Sequence, residues 1–112
     1  MSNAYKRYRS ELLANTQTTL LQVPEATTAI VKSIWVTNHG GSTSTIKASF
    51  TPLGAALQYL TFNLSLNAGE YYDVIGTKPT GPLVLESGDI LHVLSSQADV
   101  AVVVSALLVD RN

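Results

Sequence analysis

The chain has no cysteine among its 112 residues. Disulfide bridges, thiolate metal ligands and cysteine nucleophiles are therefore excluded. No unbroken apolar run approaches the about 20 residues that a transmembrane helix needs, so we expect no membrane anchor. A chain of this length corresponds to a single domain and can bury one hydrophobic core without covalent cross-links.

Charge is also scarce. Asp, Glu, Lys and Arg make up 13% of the residues, against 46% hydrophobic residues, and the formal net charge is −1. This charged share is about half of what globular chains usually have, and Ser and Thr, residues suited to sheet faces, are abundant instead. Because a weakly charged surface repels neighbouring copies little, the composition predicts a protein that assembles.

The N-terminal segment differs from the rest of the chain. Residues 1–11 are polar and basic and hold three of the seven cations, Lys6, Arg7 and Arg9. No apolar core follows these charges, as it would in a signal peptide, so we expect synthesis in the cytoplasm. We predict an extended N-terminal arm over residues 1–11, outside a domain that spans residues 12–112.

From Thr18 onward, apolar and polar residues alternate with a period of two, and turn signals recur every eight to twelve residues. This pattern predicts an all-β fold, an antiparallel two-sheet sandwich that is jelly-roll-like or Greek-key. An immunoglobulin domain is the competing assignment, but its cysteine pair is absent. The predicted strands cover residues 18–23, 29–38, 45–51, 58–66, 70–75, 83–85, 90–95 and 100–109. The last is apolar on both faces, which predicts a central strand or one covered by another subunit.

The sequence offers little catalytic chemistry. His39 and His92 have no carboxylate or second histidine at a ligating spacing, whereas a metal site needs three or four converging ligands. The nucleophile motif Gly-x-Ser-x-Gly is missing, and so are the phosphate-binding glycine motifs. Most carboxylates lie in or beside turns, where they are usually solvated or cap the backbone. We therefore predict no enzymatic activity, no cofactor and no metal.

Binding is better supported, first at the N-terminal arm. Tyr5, Lys6, Arg7, Tyr8 and Arg9 interleave aromatic rings with cations. Such a segment can stack on bases and neutralise phosphates, but three cations supply little electrostatic affinity and the remaining domain is slightly acidic. Tyr and Arg are enriched at protein interfaces. We predict that the arm docks on a protein partner; a nucleic acid is less favoured, and a solvated tail is the alternative.

A second contact surface is predicted on the strand 90–95. If Leu91 and Val93 point to the core, Ile90 and His92 share the opposite face, and an exposed Ile there favours a contact surface. The loop at residues 76–82, rich in Gly and Pro, is a further candidate for contacts.

Aromatic side chains are the basis of an alternative prediction, that the chain binds carbohydrate. Trp35 is predicted to anchor the core or a subunit interface, but Trp35, Tyr59 or Tyr71 could instead serve as a platform that stacks on sugars. The alternation in residues 58–66 places Phe62 on the face opposite Tyr59.

Three segments carry a resemblance to a known group of proteins. They are LLQVPEATTAIVKSIWVTN at residues 20–38, LNAGE at 66–70 and LESGDIL at 85–91. Over residues 20–109 the chain resembles the small β-sandwich structural proteins of tailed-bacteriophage virions, which decorate or cement capsids; related domains occur in tails and fibres. The resemblance implies a non-enzymatic protein of the virion, often a homotrimer, bound to the major capsid protein or other virion proteins. The alternative is a tail or fibre component that binds carbohydrate for host attachment.

Overall fold

A computed structural model of the chain describes residues 3–75 and 82–110. In these ranges the chain forms nine strands and no helix. The described residues therefore contain no helix that could cross a membrane. The strands are β1 (Asn3–Leu12), β2 (Thr18–Gln22), β3 (Thr27–Asn38), β4 (Ser44–Thr51), β5 (Gln58–Leu66), β6 (Tyr71–Asp73), β7 (Leu83–Leu85), β8 (Ile90–Ser95) and β9 (Val100–Asp110).

The strands form two antiparallel sheets. Sheet A has the order β1-β9-β3-β6, with β7 also paired to β3, and sheet B has the order β2-β8-β4-β5. Among the described strands, only β4 and β5 are consecutive in the chain and hydrogen-bonded neighbours. Most other connections cross from one sheet to the other, as in a jelly roll. The predicted antiparallel two-sheet sandwich is confirmed.

The core lies between the sheets and consists of the alternate residues that each central strand turns inward. Strand alternation sends every second side chain to the same face, and burying these aliphatic groups supplies the main driving force for folding. The fully buried residues of the central strands include Ala29, Val31, Ile34 and Val36 of β3, Ile46 and Ala48 of β4, Leu91 and Val93 of β8, and Val100, Val102 and Val104 of β9.

The N-terminal segment differs from its prediction. Residues from Asn3 to Leu12 pair one-to-one with β9, from Asn3 opposite Val109 to Leu12 opposite Val100. Leu12 is buried in the core and Tyr8 packs against it. The segment is therefore an edge strand of sheet A in this structure and not an arm outside the domain, because its alternation turns Tyr8 and Leu12 inward. Met1 and Ser2 lie outside the described residues.

A buried amide closes the loop after β3. Asn38 Nδ2 donates to the backbone oxygens of Ser42, at 2.7 Å, and Leu66, at 2.9 Å. Its Oδ1 accepts a hydrogen bond from the backbone N–H of Gly40 at 3.0 Å. One side chain thus satisfies three backbone groups that the loop would otherwise leave unpaired, and it fastens the end of β3 to the end of β5.

Candidate interaction surface

An apolar row crosses the outer face of sheet A. Tyr5 of β1 lies opposite Leu107 of β9, Leu107 lies opposite Ile30 of β3, and Ile30 lies opposite Val84 of β7. Tyr5 is 76% exposed and Val84 is 53% exposed, whereas Leu107 and Ile30 are half-buried. Since neighbouring strands lie about 4.8 Å apart, the row spans roughly 15 Å of the face.

A second row lies further along the same strands. Here Arg9 of β1 is opposite Val103 of β9, and Val103 is opposite Trp35 of β3. The ring of Trp35 packs beside Tyr71 of β6, with centroids 5.1 Å apart and planes tilted by 32°. Trp35 is 41% exposed and Tyr71 is 63% exposed. Trp35 is therefore on the surface, where it forms an aromatic platform with Tyr71.

The structure divides the five residues of the predicted arm between two faces. Tyr5, Arg7 and Arg9 alternate along the outer face of sheet A, and Arg7 lies between the two rows, opposite Ser105. Lys6 and Tyr8 lie on the other side of the strand. Lys6 is exposed, whereas Tyr8 is half-buried, and this burial raises the pKa of the Tyr8 hydroxyl. The outer face of sheet A therefore combines two cations of β1 with exposed aromatic and aliphatic side chains.

The outer face of sheet B carries a smaller aromatic group. Tyr59 and Phe62 of β5 are exposed, and their rings meet edge to face with centroids 4.8 Å apart. The Lys47 ammonium lies 4.6 Å from the centre of the Phe62 ring, a cation–π contact. Phe62 shares this face with Tyr59, contrary to prediction, because the β4–β5 register shifts and Asn63 has a positive φ of 55°.

The structure places His92 out of solvent, which differs from its predicted role at a contact surface. His92 is 7% exposed and lies between Thr19 of β2 and Ser49 of β4. Its Nε2 is 3.0 Å from Thr51 Oγ1, and its Nδ1 has no hydrogen-bond partner among the described residues. Burial lowers the pKa of the His92 imidazole. Ile90 is half-buried, but the His92 side chain is buried between β2 and β4 of sheet B.

The described residues contain little that resembles a catalytic centre. A cavity of about 560 Å³ is lined by residues 22–25, Leu53, Ser87 and Gly88, and Glu25 is the only titratable side chain in that lining. Within residues 3–75 and 82–110, no three His, Asp or Glu side chains are grouped closely enough to hold a metal ion. Most of the predicted contact loop, residues 76–81, lies outside the described residues.

No family model and no curated protein matches the chain. A solved structure of the Gx strain of infectious bursal disease virus is similar, with 11% identity and a TM-score of 0.47, over 96% of this chain and 37% of that one. The T13 viral particle of the same virus is similar with 11% identity and a TM-score of 0.45, over 97% of this chain and 35% of that one. This chain thus spans little more than a third of the length of the viral chains it matches.

Proposed function

We propose that the chain is a non-enzymatic structural protein of a virion. Its most specific role would be that of a capsid decoration protein, which binds the major capsid protein and cements the shell. The observation that carries the proposal is the outer face of sheet A, which leaves Tyr5, Trp35, Tyr71 and Val84 exposed. The resemblance of residues 20–109 to tailed-phage sandwich proteins supplies the virion context. The protein would be made in the host cytoplasm and act in the virion.

The composition of this face suits a protein partner. Aromatic residues and arginine are the side chains that most often dominate binding energy at protein interfaces, and both types lie on the two rows. Burying apolar surface contributes about 25 cal/mol per Å², so even part of this face supports docking. A homotrimer on a local symmetry axis would present three such faces at once, and linked contacts bind far more tightly than single ones.

Co-sedimentation with capsids assembled from the major capsid protein of the same virus tests this role. The variant Tyr5→Ser/Val84→Ser changes two exposed side chains of the apolar row. The matched control, Tyr59→Ser/Phe62→Ser, changes two exposed aromatics on sheet B. We expect the first variant to bind capsids at least about tenfold more weakly, a loss of about 1.4 kcal/mol, and the control to bind normally. Point variants are preferable to deleting residues 1–11, because the deletion would remove β1, one of the two strands that pair with β9.

The oligomeric state needs a separate measurement. Light scattering on the purified protein should give the mass of three chains of 12.0 kDa each. A monomer at all concentrations would remove the trimer from the proposal without removing capsid binding.

A second candidate is a tail or fibre component that binds carbohydrate. The Trp35–Tyr71 pair favours it, because two exposed, moderately tilted rings form a broad apolar platform that could stack on the face of a sugar. A glycan array distinguishes the two roles. Binding above background that Trp35→Ala abolishes, in a protein that ignores capsids, would support the carbohydrate role; an array without signal would leave the capsid role in place.

A further inference from the structure

The free side of β1 is an unusually long sheet edge. β1 ends sheet A, so its only described hydrogen-bonded neighbour is β9. Its ten residues exceed the usual strand length of about five to six, and the one-to-one register from Asn3 to Leu12 contains no bulge. The segment also lacks proline. Proteins commonly blunt exposed edges with short strands, prolines, bulges or charged side chains. β1 has only the charged side chains, Lys6, Arg7 and Arg9 among them, so its backbone can still accept a strand of complementary charge.

Charge disfavours a second copy of β1 as that strand. In an antiparallel pair related by a two-fold axis, the residue at the axis faces its own copy. An axis at Lys6, Arg7 or Arg9 therefore places two like cations opposite each other. An axis at Tyr8 places Arg7 opposite Arg9 of the other copy. Like charges directly opposite on neighbouring strands destabilise a sheet, so self-pairing about Arg7 or Tyr8, which gives the longest overlap, is disfavoured. Registers about Arg9 or Ser10 set an arginine opposite Glu11 but overlap over fewer residues.

We propose that β1 binds an extended acidic segment of another protein, which adds to sheet A as a further strand. Arg7 and Arg9 lie on the same face two residues apart, a spacing of about 6.6 Å along a strand. They match two carboxylates at alternate positions of the added strand, with an apolar residue next in the alternation to meet Tyr5. Glu11 follows Arg9 on the same face and is hydrogen-bonded to His39, so the two carboxylates must face Arg7 and Arg9 and not extend opposite Glu11.

A groove beside β1 offers a place for a side chain of that segment. Its volume is about 390 Å³, and its lining combines Arg9, Ser10 and Glu11 with residues 101–103 of β9. The groove lies over the β1–β9 pair and not on the free edge of β1, so an added strand would contact it only through a side chain that reaches across β1. The inference depends on this edge and its charges alone, so it does not require the role in a virion.

A peptide titration followed by NMR tests the proposal. The probe is a blocked heptapeptide, Thr-Glu-Thr-Glu-Thr-Val-Thr, whose two Glu and Val can face Arg9, Arg7 and Tyr5 in turn; one control peptide has Lys in place of each Glu, and another has Pro in place of the Thr between the two Glu. We expect the acidic peptide to shift the backbone amides of residues 3–12, and the Pro peptide to bind at least about tenfold more weakly, because Pro cannot donate a ladder hydrogen bond.

Charge reversal gives a second readout. Arg7→Glu/Arg9→Glu should weaken binding of the acidic peptide by at least about tenfold and create binding of the Lys peptide. The matched control, Lys32→Glu/Lys47→Glu, changes the net charge equally on β3 and β4 and should leave affinity within about twofold. The wild-type titration does not depend on the variants folding.

Four outcomes would overturn the proposal: amide shifts confined to other strands, equal binding of the Pro peptide, tighter binding of a twelve-residue oligothymidine than of the acidic peptide, or self-association that Arg7→Glu/Arg9→Glu abolishes. The oligothymidine result would assign the edge to nucleic acid, and the self-association result would assign it to a second copy. Loss of capsid binding would affect the proposed function and leave this inference intact.

Discussion

His39 Nε2 lies 3.0 Å from Glu11 Oε2. The contact joins the loop after β3 to β1, across the end of β9, which pairs with both strands. The hydrogen bond to Glu11 raises the pKa of His39 above its usual 6.5, partial desolvation opposes the rise, and the charges of Glu11 and Asp99 add to it. Both side chains are well exposed, so solvent screens the pair.

The first prediction concerns this pair. Because the folded state binds the His39 proton more tightly than the unfolded state, the contribution to stability is complete below pH 6.5 and disappears as the pH rises through the folded-state pKa. In an NMR titration, the His39 midpoint should lie above 6.5 and move toward it in Glu11→Gln, while Glu25→Gln leaves it unchanged. An identical midpoint in the wild type and Glu11→Gln would show that the contact does not form in solution.

The pKa of His92 shifts in the opposite direction from that of His39. Its folded-state pKa is lowered by burial, so below pH 6.5 the unfolded state takes up a proton that the folded state resists, and stability falls as the pH falls. His92→Leu removes this titration and the unpaired Nδ1. In urea unfolding at pH 7.5 and pH 5, the variant should gain stability relative to the wild type at the lower pH. Parallel loss in both proteins would contradict the prediction, since the contribution of His39 is common to both.

Two isoleucines of β3 provide a matched test of the core. Ile34 is fully buried, whereas Ile30 lies half-buried on the outer face of sheet A. Ile34→Ala should lower the free energy of unfolding by about 2–5 kcal/mol because it leaves a cavity. Ile30→Ala should cost less than about 1 kcal/mol, because solvent can fill the space. Equal losses in urea unfolding would indicate that this face is covered, as in a stable oligomer.

The buried amide of Asn38 is the target of a fourth prediction. Asn38→Asp keeps the shape but replaces both amide donors, so the carbonyls of Ser42 and Leu66 lose a partner and face a carboxylate. We expect a loss of about 2–4 kcal/mol in the free energy of unfolding. The control Asn67→Asp retains the acceptor for the Thr43 hydroxyl on an exposed loop and should change stability by about 0.5 kcal/mol at most. A mild effect at Asn38 would mean that the loop finds other partners.

The sequence was sufficient to predict most of the sandwich, because strands that bury one face alternate visibly. The predicted strands 58–66, 83–85 and 90–95 coincide with β5, β7 and β8. The last strand was predicted to be central or covered by another subunit because it is apolar on both faces, and β9 is indeed central in sheet A.

β1 was harder to predict because an edge strand makes only one row of strand contacts. Its sequence is mostly polar, and only Tyr8 and Leu12 reveal an inward face. Local composition therefore resembles a solvated tail, and the pairing with β9 depends on residues at the far end of the sequence.

The position of Phe62 was also not predictable from the sequence. Strict alternation sends it inward, but the register shift between β4 and β5 and the left-handed backbone at Asn63 turn it outward. Asn tolerates this conformation better than most residues, so the sequence permits the irregularity without specifying it. The contact between Trp35 and Tyr71 was not predictable from the sequence either, because the two residues lie on different strands.

The pairing of β1 with β9 also constrains how the protein reaches its native state. The ribosome completes β9 long after β1, so β1 stays unpaired while most of the chain is synthesised. Such distant pairings raise the contact order and slow folding, and an unpaired strand is prone to aggregate during the delay. We expect Lys6, Arg7 and Arg9 to act against this hazard as gatekeeper residues. The cations on β1 should thus improve the yield of soluble nascent protein, even where they add nothing to the stability of the finished fold.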